Sequence, residues 1–114
     1  MNDSTTGSDS IQVQLKKGAL ELCVLALLSR KESYAYEISS TLAEAVGMGE
    51  STIYPLMRRM QKEGLVQFRL AETSTGPSRK YYTLTHAGRR RFEKQRSEWT
   101  NFMTAVNGIV GDSQ

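Results

Sequence analysis

The spacing of apolar positions along the chain separates helical stretches from a pair of strands. Residues 1–10, MNDSTTGSDS, are polar and poor in apolar side chains, which predicts a disordered arm. From Leu15 to Arg30 the run LKKGALELCVLALLSR is rich in helix formers, and after Gly18 apolar residues occupy nearly every side. Such a helix must be buried on several faces, and in so small a protein that calls for a second chain. Ser33 is a suitable N-cap for a second helix reaching about Val46. Its Tyr34, Ile38, Leu42 and Ala45 recur at helical spacing, and Gly47 stands where a C′ residue belongs. A third helix is predicted over 51–63, with Ile53, Leu56, Met57 and Met60 as its inner face and Gly64 closing it. Pro55 is tolerable only in or beside the first turn, so the start is placed between Ser51 and Tyr54.

The period then changes. Val66, Phe68 and Leu70 alternate with Gln67 and Arg69, the rhythm of a half-buried strand. AETSTGPS over 71–78 is loop chemistry, and RKYYTL over 79–84 reads as a second strand, giving a hairpin. Thr85 caps a last helix whose Phe92, Trp99, Met103, Val106 and Val110, with Arg96 filling one slot, form a heptad-like seam widened by Phe102 and Ile109. The predicted fold class is mainly α with a small β-hairpin, a winged helix-turn-helix, plus a long C-terminal helix. The expected division is an arm (1–10), a helix-turn-helix with its hairpin (11–85) and a long last helix (86–114).

Composition changes the picture only through its distribution. The chain has 114 residues, 39% hydrophobic and 24% charged, with a net charge of +3. Residues 1–50 carry four basic and seven acidic side chains, residues 51–96 eleven basic and three acidic, and residues 97–114 only Glu98 and Asp112. The positive charge is thus concentrated in one stretch, as a polyanion partner requires. The longest apolar run, Leu22 to Leu28, is far short of the roughly 20 residues that span a bilayer. No signal peptide is visible, and Cys23 is alone, so a reducing, cytoplasmic setting is expected and no intrachain disulfide. A chain of this size commonly dimerises to complete its core.

Catalytic and cofactor motifs are missing: there is no HExxH, GxSxG, P-loop or dinucleotide fingerprint. The single histidine, His86, sits among polar residues at a helix start, and Cys23 lies among Leu22, Val24 and Leu25 as a buried thiol would. No enzyme, cofactor or metal is expected. The third helix instead carries Thr52, Tyr54, Arg58 and Arg59 on its outer side, with hydroxyls at the end that would enter a major groove and guanidinium forks behind it. Arg79 and Lys80 open the second strand of the hairpin and are placed to reach a phosphate backbone. Arg89, Arg90 and Arg91 point in three directions on a helix and read as a mostly solvated face.

These residues, STIYPLMRRMQKEGLV followed by SRKYYTLTHAGRRRF, resemble the PadR family of bacterial transcriptional regulators. Tyr36-Glu37-Ile38 matches its second-helix motif, Thr52-Ile53-Tyr54-Pro55 the opening of its recognition helix, Glu63-Gly64-Leu65 the turn after it, and Arg79 through Thr85 its wing. Four separated motifs in order, over about Leu15 to Val110, make the likeness specific. One departure is Ala35, where relatives often have glycine before the matched tyrosine.

The resemblance implies a winged-helix homodimer that usually represses transcription at operator DNA. Thr52, Tyr54, Arg58 and Arg59 would then contact double-stranded DNA from the recognition helix and Arg79 and Lys80 from the wing, with Tyr36 and Lys17 as further phosphate contacts. Phe92, Trp99, Phe102, Met103 and Val106 would form the dimer seam with Leu22 and Leu25 of the partner's first helix. In the short, single-C-terminal-helix subgroup a tryptophan at the place of Trp99 stacks planar aromatic effectors, which implies a ligand role for Trp99, Phe102 and Met103. A pseudo-palindromic operator with half-sites about one helical turn (~10 bp) apart follows from the two-fold symmetry. The alternative is a winged-helix protein-interaction module without a DNA function.

Overall fold

Helix α1 (Ile11–Arg30) begins four residues ahead of the predicted start, and the computed structural model, which describes residues 11–111, centres the core on it. Leu20, Val24, Leu25 and Leu28 are buried, while Leu22, Cys23, Ala26 and Leu27 are half-buried around them. An apolar circumference is therefore used on most sides within one chain. The expected disordered arm lies outside the described residues.

After α1 the chain forms a two-residue strand, β1 (Ser33–Tyr34), and then α2 (Ala35–Val46). Ser33 does not cap α2. It is buried and pairs with Tyr82, so its backbone belongs to a sheet. Tyr34 takes the N-cap position, and its N–H donates to Glu37 Oε1 at 3.2 Å. Gly47 ends α2 in the left-handed region at φ +74°, donating to the Ala43 carbonyl at 3.1 Å, while the Met48 N–H reaches Leu42 at 3.2 Å.

Helix α3 (Glu50–Lys62) starts one residue before the predicted window, leaving Pro55 in the second turn. The Gly49 carbonyl accepts from the N–H groups of Thr52 and Ile53, so the helix is established before the proline is reached. Pro55 then costs one backbone bond, at the carbonyl of exposed Ser51. Ile53, Met57 and Met60 are fully buried and Leu56 half-buried, the inner face that the periodicity predicts.

Strands β2 (Val66–Ala71) and β3 (Arg79–Leu84) pair in register from Val66 opposite Leu84 to Ala71 opposite Arg79, and β1 adds to the far side of β3. The result is a three-stranded antiparallel sheet in the order β1-β3-β2. Helix α4 (His86–Val110) starts at Thr85, whose Oγ1 accepts from the Gly88 N–H at 3.0 Å and donates to the Gly64 carbonyl at 2.6 Å. The first turn of α4 is thereby tied to the end of α3.

Two expected seam residues are core residues of the single chain. Leu25 has no exposed surface and Phe92 retains 7%, because both face inward among Val24, Leu28, Leu65 and Leu84 in the core cluster. In the single chain they offer little surface beyond the core. No described helix is long and apolar enough to cross a membrane.

Candidate nucleic-acid interface

Helix α3 has two flanks on either side of its buried face. Successive residues step by about 100°, so Tyr54 and Arg58 fall on one flank and Thr52 and Arg59 on the other. The first flank faces the wing. There Tyr34, Tyr36, Tyr54, Arg58, Arg79 and Lys80 line an open cleft of about 330 Å³, with Met57 and Tyr82 behind.

The local packing explains why these cations stay together. The Arg79 guanidinium lies 4.4 Å from the centre of the Tyr34 ring, and the Lys80 ammonium 4.6 Å from that of Phe68. Tyr34 in turn meets Tyr81 edge-on, with centroids 5.4 Å apart. Aromatic faces hold the cations without neutralising them, so the positive charge remains available. Burial, Glu50 and Tyr36 push the Tyr54 hydroxyl above its ordinary value, and it stays a neutral donor near pH 7. Tyr36 is more than half exposed beside it. The cleft thus gathers hydroxyl donors and three cations, the chemistry that meets phosphate oxygens and base edges.

The other flank faces α1. Arg59 Nη2 donates to Glu21 Oε1 at 2.9 Å, and its Nη1 is shared between both oxygens of Glu63 at 3.0 Å. The two carboxylates raise the guanidinium's affinity for its proton. Arg59, expected beside Arg58 on a DNA-facing surface, has its side chain turned to α1 in the single chain, where Glu21 and Glu63 meet its charge while 47% of it stays exposed. Glu21 also takes Arg91 Nη1 at 2.7 Å and Gln95 Nε2 at 2.8 Å. Burial pushes the Glu21 carboxyl up, but donation from Arg59, Arg91 and Gln95 outweighs it and holds the group below its ordinary range. Arg91 therefore departs from the solvated face expected for Arg89–Arg91, while Arg89 and Arg90 are exposed.

The structure brings Tyr36, Tyr54, Arg58, Arg79 and Lys80 into one cleft and sets exposed Thr52 on the opposite flank at the α3 N-terminus. Lys17 lies in α1, but its side chain falls outside the described part of the structure. Trp99 is 39% exposed and closes an apolar pocket of about 210 Å³ with Leu15, Ala19, Leu20, Cys23, Val46 and Met48. Phe102 and Met103 lie outside that pocket, and Phe102 is 60% exposed. Burial raises the Cys23 thiol, as expected for an inert group. Among the described residues no group of three or more His, Cys, Asp or Glu side chains is placed to hold a metal.

Sequence reasoning missed Tyr34, the platform under Arg79, and the junction around Glu21. Tyr34 carried a weak signal as an aromatic two residues before Tyr36. The junction carried none, since Glu21 and Arg91 lie 70 residues apart.

The fold has counterparts among known proteins. The transcriptional regulator PadR-like family profile matches residues 24–94. A crystal structure of a PadR-like transcriptional regulator from Bacillus cereus superposes with a TM-score of 0.79 at 39% identity, covering 88% of this chain and 99% of that one. A PadR family transcription regulator from Clostridium difficile superposes with a TM-score of 0.75 at 28% identity, covering 82% and 100%. The negative transcriptional regulator PadR of Bacillus subtilis is 34% identical over 74 residues, which span 61% of this chain and 41% of that protein. A winged helix with a long C-terminal helix, matched by the family profile over more than half its length, places this chain in the PadR-like family of transcriptional regulators.

Proposed function

We propose that the chain acts as a homodimeric repressor that reads operator DNA with the wing-side flank of α3. The observation that carries this reading is the cleft in which Arg58, Arg79 and Lys80 keep their charge beside Tyr36 and Tyr54. In this reading Tyr54 and Arg58 enter the major groove and exposed Thr52 meets the backbone at the α3 N-terminus. Arg79 and Lys80 contact phosphates from the wing, and Tyr36, with Lys17, adds further backbone contacts. The fold (11–85) is the DNA-binding unit, and 86–114 is the dimerisation element. Its exposed Trp99, Phe102, Ile109 and Val110 meet the partner together with half-buried Leu22, Met103 and Val106. Repression rather than activation is favoured by the negative regulator among its relatives. The setting is the cytoplasm, where bacterial operators are.

A planar aromatic effector at Trp99, assisted by Phe102 and Met103 of the dimer, would release the operator by shifting the separation of the two α3 helices. Phe102 and Met103 lie outside the pocket that Trp99 closes in one chain, so their share in such a site depends on the second protomer.

The test uses a duplex selected from a random pool by the wild-type protein. Arg58→Ala weakens binding to it by about 1–3 kcal/mol if the guanidinium reads a base. Affinity falls with salt at about −0.9 in log–log slope per phosphate neutralised. Unchanged affinity in Arg58→Ala overturns the groove assignment. Titrating planar aromatic cations and phenolic acids quenches the fluorescence of the single tryptophan, Trp99, and loosens the duplex; a panel without quenching removes the effector site.

A further inference from the structure

The Glu21 carboxylate lies outside the DNA-facing cleft, and none of the roles above uses it. One of its oxygens accepts from Arg59 of α3 at 2.9 Å; the other accepts from Arg91 and Gln95 of α4 at 2.7 and 2.8 Å. Helix α3 packs mainly on α2 and β2, and α4 mainly on α1 and β3. One side chain of α1 is thus the polar junction that the groove-side helix and the C-terminal helix share. Its side chain is 14% exposed, against 41% for Glu63, the second acid on Arg59. Exposed pairs such as Lys94–Glu98 are free to exchange with water, whereas a shielded carboxylate with three donors fixes the geometry of all of them.

Arg59 is the next residue after Arg58 on a rigid helix, so any rotation of α3 that relaxes Arg59 also swings Arg58. We propose that Glu21 is a positioning residue for DNA recognition: by holding Arg59 and Arg91 on its two oxygens it sets the rotation of α3 against α4, so that a shift of α4 reaches Arg58. The inference rests on the reading that α3 enters DNA, and it adds the link by which the C-terminal helix is felt there. The link is a physical contact chain through one carboxylate, with coupling as its measurable property.

The experiment measures affinity of full-length variants for the selected duplex, below every variant's unfolding temperature. Arg91→Met lowers affinity about five- to tenfold, in the range of ordinary coupling between sites, with an unchanged salt slope; Arg91→Lys recovers most of the loss. Arg90→Met, which removes the same charge from an exposed neighbouring position, stays within about twofold of wild type. In an Arg59→Met background the Arg91→Met effect shrinks, because the junction is already open. Gln95→Leu, which changes no charge, lowers affinity in the same direction and carries the test if Arg91→Met does not fold.

Equal losses in Arg91→Met and Arg90→Met reduce the effect to net charge and overturn the proposal. A salt slope lower by about 0.9 in Arg91→Met makes Arg91 a direct phosphate contact and also overturns it. So does wild-type affinity in both Arg91→Met and Gln95→Leu while Arg58→Ala weakens binding, an outcome that leaves the DNA reading intact. If Arg58→Ala has no effect either, the DNA reading itself fails and the inference falls with it.

Discussion

Arg58 and Arg59 are adjacent and chemically identical, and a step of about 100° around α3 separates their roles. Arg58 faces the wing cleft, while Arg59 is met by Glu21 and Glu63. The junction around Glu21 has a pH signature whose sign is fixed. Its folded carboxyl titrates below the ordinary value of 4.5 because donation from Arg59, Arg91 and Gln95 outweighs burial. A depressed carboxylate contributes stability that is fully present above its unfolded value and is lost as pH falls through its folded value. Glu21→Gln is therefore expected to be less stable than wild type by roughly 1–3 kcal/mol at neutral pH. That gap stays flat down to about pH 5 and closes below the ordinary glutamate range. Urea unfolding of both proteins across pH 3–7 checks it, and a gap that persists unchanged at the acid end would contradict the assignment. The arginine pair on the third helix was legible because its spacing from Ile53, Met57 and Met60 is local. Which arginine is paired within the chain was not, because that depends on α1 lying against one flank, a contact between residues 38 apart.

At the scale of elements, what a local period can express was readable and what a tertiary contact decides was not. Alternation over Val66–Leu70 marked β2, and the turn composition of 71–78 marked the hairpin. Strand β1 has two residues, too few for alternation, and it exists only because β3 offers it an edge. The same limit hid the role of Gly88. A Cβ built there would stand 2.0 Å from the Leu65 carbonyl oxygen and 3.3 Å from Leu84. The first turn of α4 thus rests directly on the backbone entering β2, in a place also fixed by Thr85 bonding to Gly64. Backbone cannot yield as a flexible side chain does. Gly88→Ala is expected to destabilise the fold by about 3 kcal/mol, the upper end of overpacking costs, although alanine is the better helix former by about 1 kcal/mol. Chemical denaturation measures the balance, and a stabilised Gly88→Ala would show that α4 does not sit this close to Leu65.

The whole molecule is elongated, and its shape carries the argument for a second copy. Its radius of gyration is 16.6 Å with extents of 54 × 33 × 25 Å, against the roughly 13 Å of a compact domain of about this length. The 25 residues of α4 contribute to that length, since such a helix spans about 37 Å. Its first turns are buried at Gly88 and Phe92, but Phe102, Ile109 and Val110 are 60%, 86% and 69% exposed beyond the body of the fold. Of the apolar positions along α4, Phe92 is spent in the core and the later ones are left open. A helix that projects apolar side chains into water gains little within one chain, whereas burying a phenylalanine side chain against a partner contributes roughly 1.5–3 kcal/mol. Phe102→Glu would place a charge in each half of a two-fold interface, where the two copies meet desolvation and like-charge repulsion together. The expected outcome is a monomer in sedimentation equilibrium at concentrations where wild type is dimeric, with a melting temperature no longer dependent on protein concentration. Operator affinity should fall as well, since each half-site would be held by a single α3 and the gain from linking two is lost. A Phe102→Glu protein that remains dimeric would place the interface on another face and leave the projecting end of α4 without a partner.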